Sequence, residues 1–192
     1  NNRAPDSRDV RMIYVNKPMI EAIMEHINEG SPYLLEYNPG VVDAGFRLRA
    51  EGNFYKVMPP SATQDVQPQK TVSQKFGAVE IIGYDVLKTS ARGGDSIPII
   101  LYFRANKITD EVIQPFARIG SWETRFTTDS RLLTPQWKVN ELIAERWEVR
   151  VPFDAPSGDY TMKVGMSNLT TDEEFKEFVD LGSIRIEKAG FS

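Results

Sequence analysis

The sequence predicts a mainly β protein: an antiparallel β-sandwich, immunoglobulin-like or jelly-roll-like, preceded by a small α/β unit of strand, helix and strand. Three observations predict it. From Phe76 onward short β-rich runs alternate with turn residues. Before that point one stretch carries apolar residues at helical spacing, flanked by β-formers. Between the two lies a polar segment with almost no large apolar side chain.

In the front segment, Val10, Met12 and Tyr14 mark a short strand. Asn16 stands as a helix N-cap, with Pro18 in the first turn, where a missing N–H costs nothing. Met19, Ile20, Ile23, Met24 and Ile27 then share one helical face. Gly30 is placed for a left-handed C-terminal cap and Pro32 stops the helix. "YLLEY" (33–37) reads as the returning strand and "NFYKVMP" (53–59) as a further one. Residues 1–59 are therefore expected to form the α/β unit, and 60–75, rich in Pro, Gln, Ser and Thr, a linker or an extended surface crossing.

Residues 76–192 are expected to be the sandwich. "AVEIIGYDVL", "SIPIILYFRA", "IQPFARIGSW", "ELIAERWEVRVPF", "YTMKVGM" and "LGSIRIEK" are its strands. Arg92-Gly93-Gly94-Asp95 and Pro156-Ser157-Gly158-Asp159 supply turns. Trp147, Val149 and Val151 point to one side, Glu148 and Arg150 to the other, so "RWEVRVPFDAPSGDYTMKVGM" reads as a hairpin with one buried face. Thr171 and Glu174 have capping-box spacing, and Phe175, Phe178 and Val179 would share the face of a short helix.

Composition narrows the function. In 192 residues, hydrophobic side chains make up 41% and charged ones 26%, ordinary values for a folded domain. The net charge of −4 offers no basic field for nucleic acid. With no cysteine there is no disulfide framework, thiolate metal site or thiol nucleophile. No apolar run reaches the ~20 residues that span a bilayer. "NNRAPDSRDVR" reads as an excised segment rather than a signal peptide.

Little catalytic chemistry stands out. The single histidine, His26, borders the helix's apolar stripe and fits a boundary position. Asp172, Glu173, Glu174 and Glu177 are the acids expected in a first helical turn. Asp95 and Asp129 would suit a calcium site with backbone oxygens, but turn chemistry accounts for both, and no metal site is assigned. "GGD" lacks the spacing of a phosphate loop. "NLT" at 168–170 has the form of a glycosylation sequon. Of the three tryptophans, Trp147 reads as core. Trp122 and Trp137 lie near loops and are the candidates for stacking on a sugar, with Arg125 and Asp129 as hydrogen-bonding neighbours.

Two stretches carry a resemblance. "GGDSIPIILYFRA", the Trp137 region with "NELIAERWEVRVPFDAPSGDYTMKVGM", and "LGSIRIE" resemble an extracytoplasmic β-sandwich that follows the membrane helices of bacterial glycosyltransferase-like proteins. Gly94, Asp95, Leu101, Arg104, Trp137, Glu141, Pro152, Pro156, Gly158, Tyr160, Val164 and Gly165 hold the positions of that pattern, and Phe103 stands where Trp is commoner. "RDVRMIYVNKPMIEAIMEHINEGSPYLLEY" is similar to the soluble tail of the DUF2723 family, multi-spanning membrane proteins related to protein O-mannosyltransferases. The resemblance implies an extracytoplasmic accessory region, tethered through N-terminal helices, that engages glycan or acceptor protein. It transfers no catalytic residue and no cofactor. The alternatives are a free-standing carbohydrate- or protein-binding sandwich, and a hydrolase in which Asp129 converges with Glu141 or Glu145.

Overall fold

A computed structural model describes residues 18–27, 32–51, 53–58, 67–125, 132 and 134–188. The chain divides into two compact units, residues 1–64 and 65–192. No helix among the described residues is long and apolar enough to cross a membrane.

In the first unit, helix α1 spans Met19–His26, with Ile23 its buried residue and His26 half-buried in the last turn. Strand β1 is short, Tyr33–Leu34. Helix α2, Pro39–Asp43, begins with proline at its N-terminus, where a fixed φ suits the first turn. Strands β2 (Arg47–Glu51) and β3 (Phe54–Met58) follow. They form an antiparallel sheet in the order β1-β3-β2. The expected strand at Val10–Tyr14, the Asn16 cap and the Gly30 cap lie outside the described residues. Among those described, "YLLEY" shrinks to two strand residues. Among the described strands of this unit the pairing is antiparallel around β3; the first strand of the expected strand–helix–strand pattern lies outside them.

The second unit is a β-sandwich. Strands β4 (Lys70–Phe76), β5 (Val79–Val86), β7 (Ser96–Ala105) and β10 (Leu142–Arg150) form one antiparallel sheet, ordered β10-β7-β5-β4. The other contains β6 (Ser90–Arg92), β13 (Val179–Glu187), β11 (Gly158–Asn168), β8 (Ile113–Ile119) and β9 (Trp122–Arg125) in that order. The two-residue β12, Glu173–Glu174, pairs with β11. Only β6 and β13 pair in parallel among the described strands.

Strand periodicity builds the core. Ile97, Ile99, Leu101, Phe103 and Ala105 alternate inward on β7 and meet Ile113, Ala117, Ile119, Met162, Val164, Met166 and Ile184 from the other sheet. Trp147, Val149 and Val151 join them, as their alternation predicts.

Three expectations change. Residues 70–75 are not linker but most of β4. An edge strand turns much of its length to water, so only Val72 and Phe76 face the core and the composition stays polar. Residues 171–179 are not helical. Asp172 sits at φ 58° and the chain returns as β12. The cause lies in the two phenylalanines: Phe175 packs edge-on against Phe76 on the core side, and Phe178 against Phe116 on the outer face. A helix would put both rings on one side; the irregular chain between β12 and β13, with a bend at Lys176, delivers them to opposite sides. Finally, β10 and β11 do not pair as a hairpin. Residues 151–157 carry the chain from one sheet to the other, with the Tyr160 hydroxyl donating to Pro156 O at 3.0 Å.

The Phe116–Phe178 pair depends on Gly165, which lies directly opposite Phe116 on β11. A Cβ there would fall 2.6 Å from Phe116 Cζ and 2.9 Å from Phe178 Cε1. Gly165→Ala is therefore expected to destabilise the sandwich by about 2 kcal/mol through overpacking. Urea denaturation measures this, and an unchanged midpoint would contradict the packing described.

Candidate functional site

The structure separates the residues that the sequence groups together. Trp122 opens β9 opposite Ile119, and its ring lies on the core side against Tyr160, centroids 5.2 Å apart. Arg125, three positions further along the same strand, pairs with Phe116 and faces outward. An odd separation along a strand places side chains on opposite faces, so Trp122 and Arg125 do not share a surface. Trp137 follows a 3₁₀ turn at Thr134–Gln136, donates its backbone N–H to Thr134 O, and rests on Phe103 with ring centroids 5.7 Å apart. Asp129 lies outside the described residues.

Arg125 is engaged in an outer-face cluster. Its guanidinium stands 5.3 Å over the Phe116 ring and pairs with Glu123 at 2.8 Å and with Glu174. Arg118 covers the Phe116 and Phe178 rings at 5.2 and 4.9 Å and also pairs with Glu123 and Glu174. Partial burial opposes the charge of Arg125, but the hydrogen bonds and charges of Glu174 and Glu123 raise its pKa above the ordinary value. The arrangement is a cation–π lid over buried aromatics, with the guanidinium groups already committed to carboxylates.

Most carboxylates near the sheets are similarly occupied. Asp85 accepts the Tyr102 hydroxyl at 2.8 Å and the Gln69 backbone N–H at 2.6 Å. Glu80 accepts from Ser73 Oγ at 2.7 Å, and Glu141 from Lys138 N at 2.8 Å. Asp95 accepts the Arg92 backbone N–H across its turn. Asn168 of the sequon is buried, its Oδ1 accepting Thr170 N.

Glu145 differs. It lies opposite Leu101 on β10, in step with Ile143 opposite Phe103 and Trp147 opposite Ile99, all of them core residues. Its side chain therefore points to the core side of this edge strand, where it is half-buried and makes no hydrogen bond or ion pair with any described residue. Burial in these apolar surroundings pushes its pKa up to about 8. The sequence carried the signal: position 145 falls on the apolar side of the Ile143–Trp147–Val149–Val151 alternation.

No protein-family model and no curated protein matches the chain. Among solved structures it is similar to a Niemann-Pick type C2 protein from the Japanese carpenter ant, at 12% identity and TM-score 0.38, over 67% of this chain and 99% of that one. It is also similar to BslA, a bacterial hydrophobin, at 16% identity and TM-score 0.25, over 56% of this chain and 93% of that one.

Glu145 predicts a pH dependence with a definite sign. An unfolded glutamate titrates near 4.5 and the folded one near 8, so between these values the folded state holds a proton that the unfolded state has lost. Its stabilising contribution is complete below about pH 4.5 and fades as pH rises towards about 8. Glu145→Gln should remove that slope and stabilise the fold at pH 8 by on the order of 3 kcal/mol. Urea denaturation at pH 5 and pH 8 checks this: the variant's advantage should grow with pH, and parallel profiles would contradict it.

Proposed function

We propose that this chain is a non-catalytic β-sandwich binding region, the extracytoplasmic accessory part of a membrane-anchored glycosyltransferase-like protein, which engages glycan or acceptor protein. Several of the pattern residues that carry the resemblance serve the framework. Gly94, at φ 87°, and Asp95 make the turn into β7, while Leu101 and Phe103 are inward core positions. Trp137 packs on Phe103, and Gly165 admits the Phe116–Phe178 pair. The shared pattern thus specifies a scaffold rather than a reaction centre, which is the single observation that carries the reading.

The alternative hydrolase would need Asp129, which lies outside the described residues, to converge with Glu141 or Glu145; Glu141 accepts the Lys138 backbone N–H and Glu145 lies on the core side of β10. In this reading the ligand surface belongs to the loops and sheet faces, and catalysis to membrane-embedded parts of the parent protein.

Fractionation of native host cells tests the reading, using an antibody raised against this chain. The expected result is a membrane-fraction band far above the 21.8 kDa of this segment. A soluble band at that mass, with no membrane-bound species, would overturn it in favour of a free-standing binding module.

A further inference from the structure

We propose that Phe153 is the stacking platform of a carbohydrate site at one end of the sandwich, which takes an uncharged hexose unit of a glycan. The inference rests on the glycan-binding part of the reading above and names the surface that does the binding. Phe153 is 88% exposed, more than any other large apolar side chain among the described residues. A single apolar side chain at a surface is ordinary. This one differs because the fold is shaped to hold it there.

Two loops build the platform. Residues 151–157 carry the chain from β10 to β11, and residues 92–95 turn from β6 into β7. Gly94 N–H donates to Val151 O at 3.1 Å and Val151 N–H to Asp95 O at 2.9 Å, which ties the loops together two residues before Phe153. Ala155 N–H donates to Pro152 O at 3.2 Å and closes a turn around Phe153 and Asp154. The Tyr160 hydroxyl, on Pro156 O, braces the far side of that turn. The glycines are required where they stand. A Cβ on Gly93 would fall 2.4 Å from Phe153 O, and one on Gly94, at φ 87°, would fall 2.9 Å from Phe153 Cδ2. The ring thus lies beside bare backbone and meets water over most of its surface. A ring so exposed adds little to the burial that stabilises the sandwich, yet its place is closely specified. That combination points to a partner outside the fold.

The surroundings select the ligand. Asp154 follows Phe153 directly, and Arg92 and Asp95 flank the two glycines; all three are exposed. Asp95 commits one oxygen to the Arg92 backbone N–H. The Asp154 carboxylate and the Arg92 guanidinium make no hydrogen bond or ion pair with any described residue. A pyranose matches this pattern. One of its faces presents C–H bonds to an aromatic ring, while hydroxyls at its rim donate to carboxylates and accept from a guanidinium. A lipid surface or an apolar protein partner would call for a wider apolar patch. The other exposed large apolar side chains described in this unit, Ile108, Val139 and Leu169, lie at the opposite end, after β7, before β10 and after β11. Two carboxylates beside the ring also oppose anionic headgroups and acidic sugars.

The experiment follows the aromatic proton–carbon NMR signals of the chain while the methyl glycosides of glucose, mannose and galactose are added, with Phe153→Ala assigning the ring. The expected result is a saturable shift of the Phe153 signals with at least one glycoside. Phe153→Trp should bind that glycoside at least within about threefold of the wild type, and Phe153→Ala at least roughly tenfold more weakly. Truncating so exposed a ring should leave the thermal melt unchanged, which separates binding from folding. Undiminished binding by Phe153→Ala would overturn this site and leave the glycan reading standing on another surface. No saturable shift with any of the glycosides would overturn the proposal itself. Phosphatidylglycerol vesicles that then sediment the wild type but not Phe153→Ala would assign the ring to a lipid surface instead. The membrane-tethered reading is tested by fractionation and is untouched by these outcomes.

Discussion

The second unit depends on one constraint: two sheets must bury the alternate side chains of their facing strands against each other. β7 is the clearest case, since Ile97, Ile99, Leu101, Phe103 and Ala105 all point inward over its full length. Because side chains alternate with period two, a slip of one residue would exchange that series for Pro98, Ile100, Tyr102 and Arg104. The continuous registers of β7 with β10 and of β11 with β8 hold the series in place. The connections obey the same requirement. The 151–157 segment changes sheets rather than making a hairpin, so that β10 and β11 can both present apolar faces to the shared interior.

The outer face of the β8–β11 sheet shows a second solution to burial. Phe116 lies outside the common core and is nevertheless fully buried, beneath Arg118 and Arg125 and against Phe178. Two carboxylates, Glu123 and Glu174, hold these guanidiniums in place. Here charge serves as a cover for aromatic rings. At Glu145 the opposite holds: an acid lies on the apolar side of a strand with nothing described to meet it.

The fold was largely legible in the sequence because sandwich strands repeat simple signals. Alternation located Trp147, Val149 and Val151 in the core, and Gly-Gly-Asp located the turn before β7. What escaped was set by neighbours distant along the chain. β4 looked like linker because an edge strand needs few apolar residues. Residues 171–179 looked helical because local spacing cannot reveal that Phe76 and Phe116 draw Phe175 and Phe178 to opposite sides of a sheet. The proposed sugar-facing group was read from residue type and nearness in sequence, yet strand parity turns Trp122 and Arg125 away from each other. Glu145 was visible as an acid and its parity could be counted, but its lack of a partner emerges only from the packed structure.

The account rests most directly on whether Glu145, on the core side of the edge strand β10, is shielded enough from water to keep its proton above the ordinary glutamate range. Its side-chain carboxyl can be titrated site by site with carbon-detected NMR on the folded chain, using Glu145→Gln to assign the signal. The account predicts a midpoint near pH 8, far above the ordinary glutamate value of 4.5. A midpoint close to 4.5 would mean that the carboxyl is hydrated or paired, and would contradict the desolvation that its core-side register on β10 implies.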